Sequence, residues 1–218
     1  MIKALIFDFD GLILDTETPE YISLSEVYSE MGCSLAIETY GQVVGSQYNQ
    51  HYEPVQHLQA LSGKSLDSEQ FWSRVKRRRL ELIEQSSTLP GVEDYIRKGR
   101  ALGLKLAVAS SSSHAWVDGH LKRHGLFDSF DIIKCKEDVL NIKPAPDLFL
   151  AALDALQVQP HEAVIFEDSA NGVLAACQAG VKVVLVPNPV TKHLNITGET
   201  FRLGSLTDLS LQDLMRRL

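Results

Sequence analysis

The stretch Ile2-Lys3-Ala4-Leu5-Ile6-Phe7-Asp8-Phe9-Asp10-Gly11 decides the fold. Its first six residues are β-rich and nearly continuous in apolar character, as in a strand covered on both faces of a parallel sheet. The run then ends abruptly on acid. Residues two apart in an extended chain point to the same side, so Asp8 and Asp10 can act as a pair. Gly11 lets the backbone turn sharply behind them. Four further runs of this kind lie at 104–109, 131–135, 163–166 and 181–186. Helical patterns separate them. Val92, Tyr95 and Ile96 begin one helix. Ser113 caps another, which Gly125 ends. Pro146 stands in a first turn ahead of Leu148, Phe149, Ala152, Leu153 and Leu156, and the pattern at 170–179 stops at Gly180. Strands alternating with helices predict an α/β fold with a parallel sheet.

The first strand is the exception, because no second strand follows until residue 104. Thr18-Pro19 opens a helical stripe at Tyr21, Leu24, Tyr28 and Met31, with Gly32 past its end. Two or three more helical segments extend to about Ser86, and Pro90-Gly91 marks the return. The expected organisation is a parallel-sheet core of residues 1–15 and 87–218, with residues 16–86 as an α-helical cap inserted after the first strand.

Composition excludes several function classes. Hydrophobic residues are 44% of the 218 and charged residues 22%, a globular balance. The 21 Lys and Arg against 28 Asp and Glu give a net charge of -7, which disfavours a nucleic-acid partner. Cys33, Cys135 and Cys177 are too scattered for a metal pair or a disulfide framework. No apolar run approaches the roughly 20 residues of a membrane span. The apolar start meets Asp8 too soon for a signal peptide, so a cytoplasmic enzyme or binding protein is expected.

The residues that carry chemistry lie at strand ends or just beyond them, where open α/β sheets form their sites. Asp8 and Asp10 follow strand one, Ser110 follows strand two, and Glu167 and Asp168 follow strand four. Lys143 lies in a loop restricted by Pro144 and Pro146. Asp8, Asp10 and Asp168 brought together would repel unless a cation sat among them, and hard oxygen donors suit magnesium (Mg2+). A calcium loop is excluded, because Ile13 and Pro19 stand where it needs Gly and Glu. A fixed Lys143 ammonium would offset charge beside a phosphate. Ser110 and backbone N–H groups at the next helix start can donate to its oxygens. Each residue also has a plain alternative: a solvated acidic strand end, Asp168 or Ser110 as a helix cap, Lys143 as a surface lysine.

The ordered set resembles the haloacid dehalogenase-like hydrolase superfamily. Asp8-Phe9-Asp10-Gly11-Leu12-Ile13-Leu14-Asp15-Thr16-Glu17 is similar to its first motif and Ser110 to its second. Lys143 in Lys-Pro-Ala-Pro-Asp is similar to the third, and Phe166-Glu167-Asp168-Ser169-Ala170-Asn171-Gly172 to the fourth. The match covers essentially the whole chain and falls in the branch of β-phosphoglucomutases and sugar-phosphate phosphatases. The resemblance implies a Rossmann-like core and a mobile helical cap. It implies Asp8 as nucleophile forming an aspartyl-phosphate, and Asp10 as general acid/base. Magnesium would rest on Asp8, the backbone carbonyl of Asp10 and Asp168, with Glu167 in support. Ser110, with Ser111 beside it, and Lys143 would hold phosphoryl oxygens. A cis Lys143–Pro144 bond is also implied.

The expected activity is hydrolysis of small phosphomonoesters, sugar phosphates foremost, by a monomer. Cap residues Glu17, Glu20, Gln47, Tyr48 and His51 would set specificity. A mutase is the alternative. Its pattern carries a His near Glu20, an Arg near Tyr48 and Lys-Asn where Ser113-His114 stand, so the second phosphate grip is missing at those positions. A dehalogenase would not need Asp10. A phosphate-ligand sensor without turnover would not need it either. The cluster Arg74, Lys76, Arg77, Arg78 and Arg79 is read as a solvated helix face, with an anion-guiding patch as the sharper alternative. Trp116 is read as core or rim.

Overall fold

The computed structural model describes residues 1–41, 43–44 and 52–218. Six strands form one parallel sheet: β1 (Ala4–Phe7), β2 (Lys105–Ala109), β3 (Ile132–Lys134), β4 (Ala163–Glu167), β5 (Lys182–Leu185) and β6 (Phe201–Arg202). Their spatial order is β3-β2-β1-β4-β5-β6. Five coincide with the apolar runs of the sequence. The sixth was not expected: two residues are too short for a periodic signal. β6 forms because Thr200 and Leu203 donate backbone N–H groups to Val183 and Leu185 along the edge of β5.

Between β1 and β2 the chain passes through α1 (Glu17–Glu30), α2 (Ile37–Gly41), α3 (Pro54–Ser62) and α4 (Ser68–Ile83). It then enters α5 (Val92–Ala101), α6 (His114–Arg123), α7 (Asp147–Leu156), α8 (Ala170–Gln178) and α9 (Leu211–Arg217). Side chains alternate along β1, which explains its unbroken apolar run. Leu5 and Phe7 pack with Tyr95 and Ile96 of α5, Val117 and Leu121 of α6, and Leu211 and Leu214 of α9. Ala4 and Ile6 pack with Leu148 and Phe149 of α7 and Val173 and Ala176 of α8 on the other face. Phe7 lies opposite Val108 on one side and Phe166 on the other, and its ring stacks on that of Phe166 at 4.9 Å.

Helices α1, α3 and α4 share an apolar cluster of their own, with Leu24, Val27, Tyr28, Val55, Leu58, Phe71 and Val75 buried together. The buried face of α1 is rotated slightly from the expected stripe. Leu24 and Tyr28 are buried, Tyr21 and Met31 are half-buried, and Val27 and Glu20 join the face instead. The segment leaves and rejoins the sheet at one place: Leu14 pairs with Thr88, and Leu89 N–H donates to the Ile13 carbonyl at 2.9 Å.

The topology positions the site. β1 is flanked by β2 on one side and β4 on the other, so successive connections diverge there and leave a crevice at the carboxyl ends of the strands. Asp8, Asp10, Ser110, Glu167 and Asp168 all sit at or just beyond those ends. Among the described residues no helix is long and apolar enough to cross a membrane.

Candidate active site

Asp8 leaves β1 with its backbone N–H donated to the Phe166 carbonyl at 3.0 Å, which holds the two acidic strand ends side by side. The side chains of Asp8, Glu167 and Asp168 are buried, and each offers a carboxylate oxygen within 4.8 Å of the others. Lys143 reaches them from the loop before α7, also buried, after a cis Lys143–Pro144 bond. Its Nζ bonds Asp8 Oδ1 and lies 2.6 Å from Glu167 Oε1.

Glu167 is saturated by donors. Its Oε2 accepts from Asp168 N–H at 3.0 Å and from the backbone and hydroxyl of Ser169 at 3.1 Å each. The following helix therefore takes its cap from Ser169, whose Oγ accepts from Gly172 N–H, and Asp168 is not the capping residue. The fourth motif needs its glycine for this packing: a Cβ on Gly172 would lie 1.8 Å from the Glu167 carboxyl group. Gly11 is fixed twice over. Its φ is +79°, and a Cβ there would fall 2.4 Å from Asp168 Oδ2. Asn188, which the sequence reading missed, donates to that same oxygen at 2.7 Å and to the Gly11 carbonyl at 3.3 Å. Its only sequence signal is a position just beyond β5.

Asp10 is gripped by a different set. Trp116 Nε1 and Thr16 Oγ1 donate to Oδ1 at 2.8 and 3.0 Å, and Ser112 Oγ and Ser110 Oγ donate to Oδ2 at 2.6 and 3.3 Å. Ser110 is therefore a partner of Asp10 as well as a neighbour of the crevice, and Ser113 is the residue that caps α6. Ser111 also lines the crevice, and its buried hydroxyl has no hydrogen-bond partner among the described residues. Trp116 is half-buried against the core at the cavity wall, as the core-or-rim reading has it, and its indole N–H also reaches Asp10, 106 residues away.

Asp8, Asp10, Ser110, Trp116, Lys143 and Glu167 line a cavity of about 410 Å³, within the usual range for small-molecule sites. The helical segment supplies Thr16, Glu17, Glu20, Tyr40, Val43, Val44 and Arg79 to its wall. Glu17 Oε2 accepts from the Tyr40 hydroxyl at 2.6 Å, and Arg79 Nη1 donates to Glu20 Oε2 at 2.7 Å. Gln47, Tyr48 and His51 lie outside the described residues. The basic cluster divides. Arg74 pairs with Glu30, and Arg78 with Glu26 and Glu81, on the exposed face of α4. Arg79 instead turns into the cavity, with its guanidinium 5.3 Å above the Trp116 ring. It lies four residues from both Val75 and Ile83, on the buried stripe of α4, and that spacing is the signal that singles it out.

The electrostatics are lopsided. Burial pushes the Asp8 carboxyl well above the ordinary range, against the pull of Lys143, with Glu167 and Asp10 adding repulsion. Burial does the same to Asp168, reinforced by Glu167 and Asp8. Burial alone would lower Lys143, but Asp8 and Glu167 outweigh it and hold the ammonium above its ordinary value. One buried cation faces three buried acids. The donors are hard oxygens, two of them on acids short of positive charge, so the cluster fits a hard divalent cation.

Comparison with known proteins agrees with this geometry. The family profile described as "Haloacid dehalogenase-like hydrolase" matches residues 5–186. The chain is 44% identical over 218 residues to the Bacillus subtilis (strain 168) protein named "Putative phosphatase YhcW", covering 100% of this chain and 98% of that one. It is 29% identical over 217 residues to hexitol phosphatase B of Escherichia coli (strain K12), covering 98% and 97%. The crystal structure of CbbY from Rhodobacter sphaeroides in complex with phosphate superimposes with a TM-score of 0.75 at 28% identity, covering 99% of this chain and 100% of that one. With the strand-end acids, the lysine loop and the helical segment after β1 all in place, the chain belongs to the haloacid dehalogenase-like hydrolase family.

Proposed function

We propose that the protein is a magnesium-dependent phosphatase that hydrolyses small phosphomonoesters, sugar phosphates foremost, through an aspartyl-phosphate on Asp8. The observation that carries this reading is the division of labour between two acids two residues apart. Asp8 is bonded to Lys143 within the buried acidic cluster, and Asp10 is held by Thr16, Ser110, Ser112 and Trp116 on the same cavity. The relatives named as phosphatases support the reaction class.

In the first step an Asp8 carboxylate oxygen attacks phosphorus, and the bond from phosphorus to the substrate alcohol oxygen breaks. Asp10 delivers its proton to that departing oxygen. The Asp10 carboxylate then takes a proton from water as the water oxygen attacks the phosphorus. The bond to Asp8 breaks, inorganic phosphate leaves, and both acids return to their starting states. Ser110, Ser111 and Lys143 hold phosphoryl oxygens, with the backbone N–H groups at the start of α6. Asp8, the Asp10 carbonyl and Asp168 would hold magnesium, with Glu167 bracing Lys143. The ion supplies positive charge that offsets the acids and the charge developing on the phosphoryl group. Residues 16–86 serve as the cap that excludes water during attack and selects substrate, and their separate apolar cluster supports that role. The protein acts as a cytoplasmic monomer on a diffusing phosphorylated metabolite. Its net charge of -7 supports the absence of a nucleic-acid partner.

Three outcomes test this account. Wild-type protein with magnesium releases inorganic phosphate from sugar monophosphates, and Asp8→Asn lowers kcat by at least about a thousandfold while its circular dichroism is unchanged. Turnover by the variant would remove Asp8 as nucleophile. Trp116→Phe keeps a ring beneath Arg79 but removes one charge-assisted bond to Asp10. It lowers kcat about tenfold or more and moves KM far less; an unchanged kcat would dismiss the indole as a positioning group.

The third outcome concerns Glu17. Burial, with repulsion from Asp10, Glu20 and Asp15, outweighs the Tyr40 bond and pushes this carboxyl up to about 8 from an ordinary 4.5. The folded state then keeps a proton that the unfolded state has released, so stability falls as pH rises between those values. Glu17→Gln removes that slope: in urea unfolding the variant gains on wild type from pH 5 to pH 8. A difference that is flat or reversed contradicts the assignment.

A further inference from the structure

Two charged residues sit where the packing of α1 and α4 calls for apolar ones. Glu20 shares the buried face of α1 with Leu24 and Val27, and Arg79 shares the stripe of α4 with Val75 and Ile83. They meet at 2.7 Å on the wall of the active-site cavity, with side-chain exposures of 9% for Glu20 and 30% for Arg79. The Trp116 ring lies against the guanidinium from the sheet side. Glu20 is nearly enclosed and Arg79 partly so, so the charge they present counts for more than it would on an open surface.

Both residues line the cavity from the helical segment, whereas Asp8, Ser110 and Lys143 line it from the sheet side, so the pair is offered to the alcohol portion of a substrate whose phosphoryl group those residues hold. A carboxylate only accepts hydrogen bonds and a guanidinium only donates them. Side by side they match a hydroxyl group, which does both, and still more closely two neighbouring hydroxyls. A second anion on the substrate fares worse. Its attraction to Arg79 is opposed by repulsion from Glu20 at nearly the same distance. It would also have to part Arg79 from Glu20 in a largely enclosed wall, which is costly.

We infer that the Glu20–Arg79 pair is a charge filter: it admits phosphate monoesters of neutral polyhydroxylated alcohols and rejects substrates that carry a second phosphate or a carboxylate at the far end. The filter rests on the phosphatase reading and narrows its substrate class. It also accounts for a cationic cap residue in the cavity of an enzyme that does not need a second phosphate grip, because the charge of Arg79 is already balanced.

The test uses two substrates that differ only at the distal carbon, glucitol 6-phosphate with a hydroxyl and 6-phosphogluconate with a carboxylate. The readout is the ratio of their kcat/KM values by phosphate release, which does not depend on how much of a preparation is folded. Wild type favours glucitol 6-phosphate by about tenfold or more, the scale of one unfavourable charge contact in a partly buried site. Glu20→Gln leaves Arg79 unbalanced and shifts the ratio about tenfold or more toward 6-phosphogluconate. The double variant Glu20→Gln with Arg79→Gln is neutral again and returns toward the wild-type ratio. A Glu20→Gln ratio within threefold of wild type, or a wild type that hydrolyses both substrates equally, overturns the filter and leaves the phosphatase reading standing. A wild type that releases phosphate from neither, nor from other sugar monophosphates, overturns both.

Discussion

Three carboxylates share one buried pocket with a single ammonium, and the rest of the site answers to that imbalance. Asp8, Glu167 and Asp168 place oxygens within 4.8 Å of one another, a spacing at which each like-charged pair repels by about 3–4 kcal/mol at an effective dielectric near 20. Lys143 meets two of them, Asp8 and Glu167. Asp168 is left with the amide of Asn188, a dipole and not a charge. The chain tolerates the arrangement because the acids themselves are fixed to the sheet, while Lys143 comes to them from the loop before α7. The acids are extensions of β1 and β4, the two neighbours at the centre of the sheet, and their strands are locked by the Phe7–Phe166 stack beneath them.

The two acids of the first motif, both beyond the end of β1, have different surroundings. Asp8 faces the acidic cluster, while Asp10, past one more residue, meets hydroxyls from the turn after β2 and an indole from the helix that follows it. One carboxylate stands in a field of acids and the other in a ring of neutral donors, and such a contrast suits a nucleophile beside an acid/base group. The glycines follow from the crowding. Gly11 and Gly172 are the points where backbone passes within 2.4 Å or less, measured from a would-be Cβ, of a carboxylate the site needs.

Much of this was legible in the sequence because it depends on local order. Five short apolar runs, several of them nearly continuous, announced a sheet covered on both faces, and the motif acids stood just after two of them. What escaped depends on distance. Trp116 touches Asp10 across 106 residues, and Asn188 touches Gly11 across 177, so no local pattern marks either. β6 is two residues long and exists only as an edge partner. Arg79 was hidden among four basic neighbours, although its four-residue spacing from Val75 and Ile83 separated it from Arg74, Arg77 and Arg78. Glu20 interrupts the apolar face of α1 in the same manner. In both helices the residue that breaks the stripe is the one that reaches the cavity.

The central claim is that a divalent cation completes the acidic cluster, and thermal unfolding of chelator-stripped protein addresses it without any substrate. Magnesium at about a hundred times its dissociation constant contributes about 2.7 kcal/mol, which for a chain of this size raises Tm by about 5–10 °C. The account predicts a saturable rise of that order in wild type, lost in Asp168→Asn. A wild-type Tm that ignores magnesium, or a rise that survives in Asp168→Asn, would contradict it.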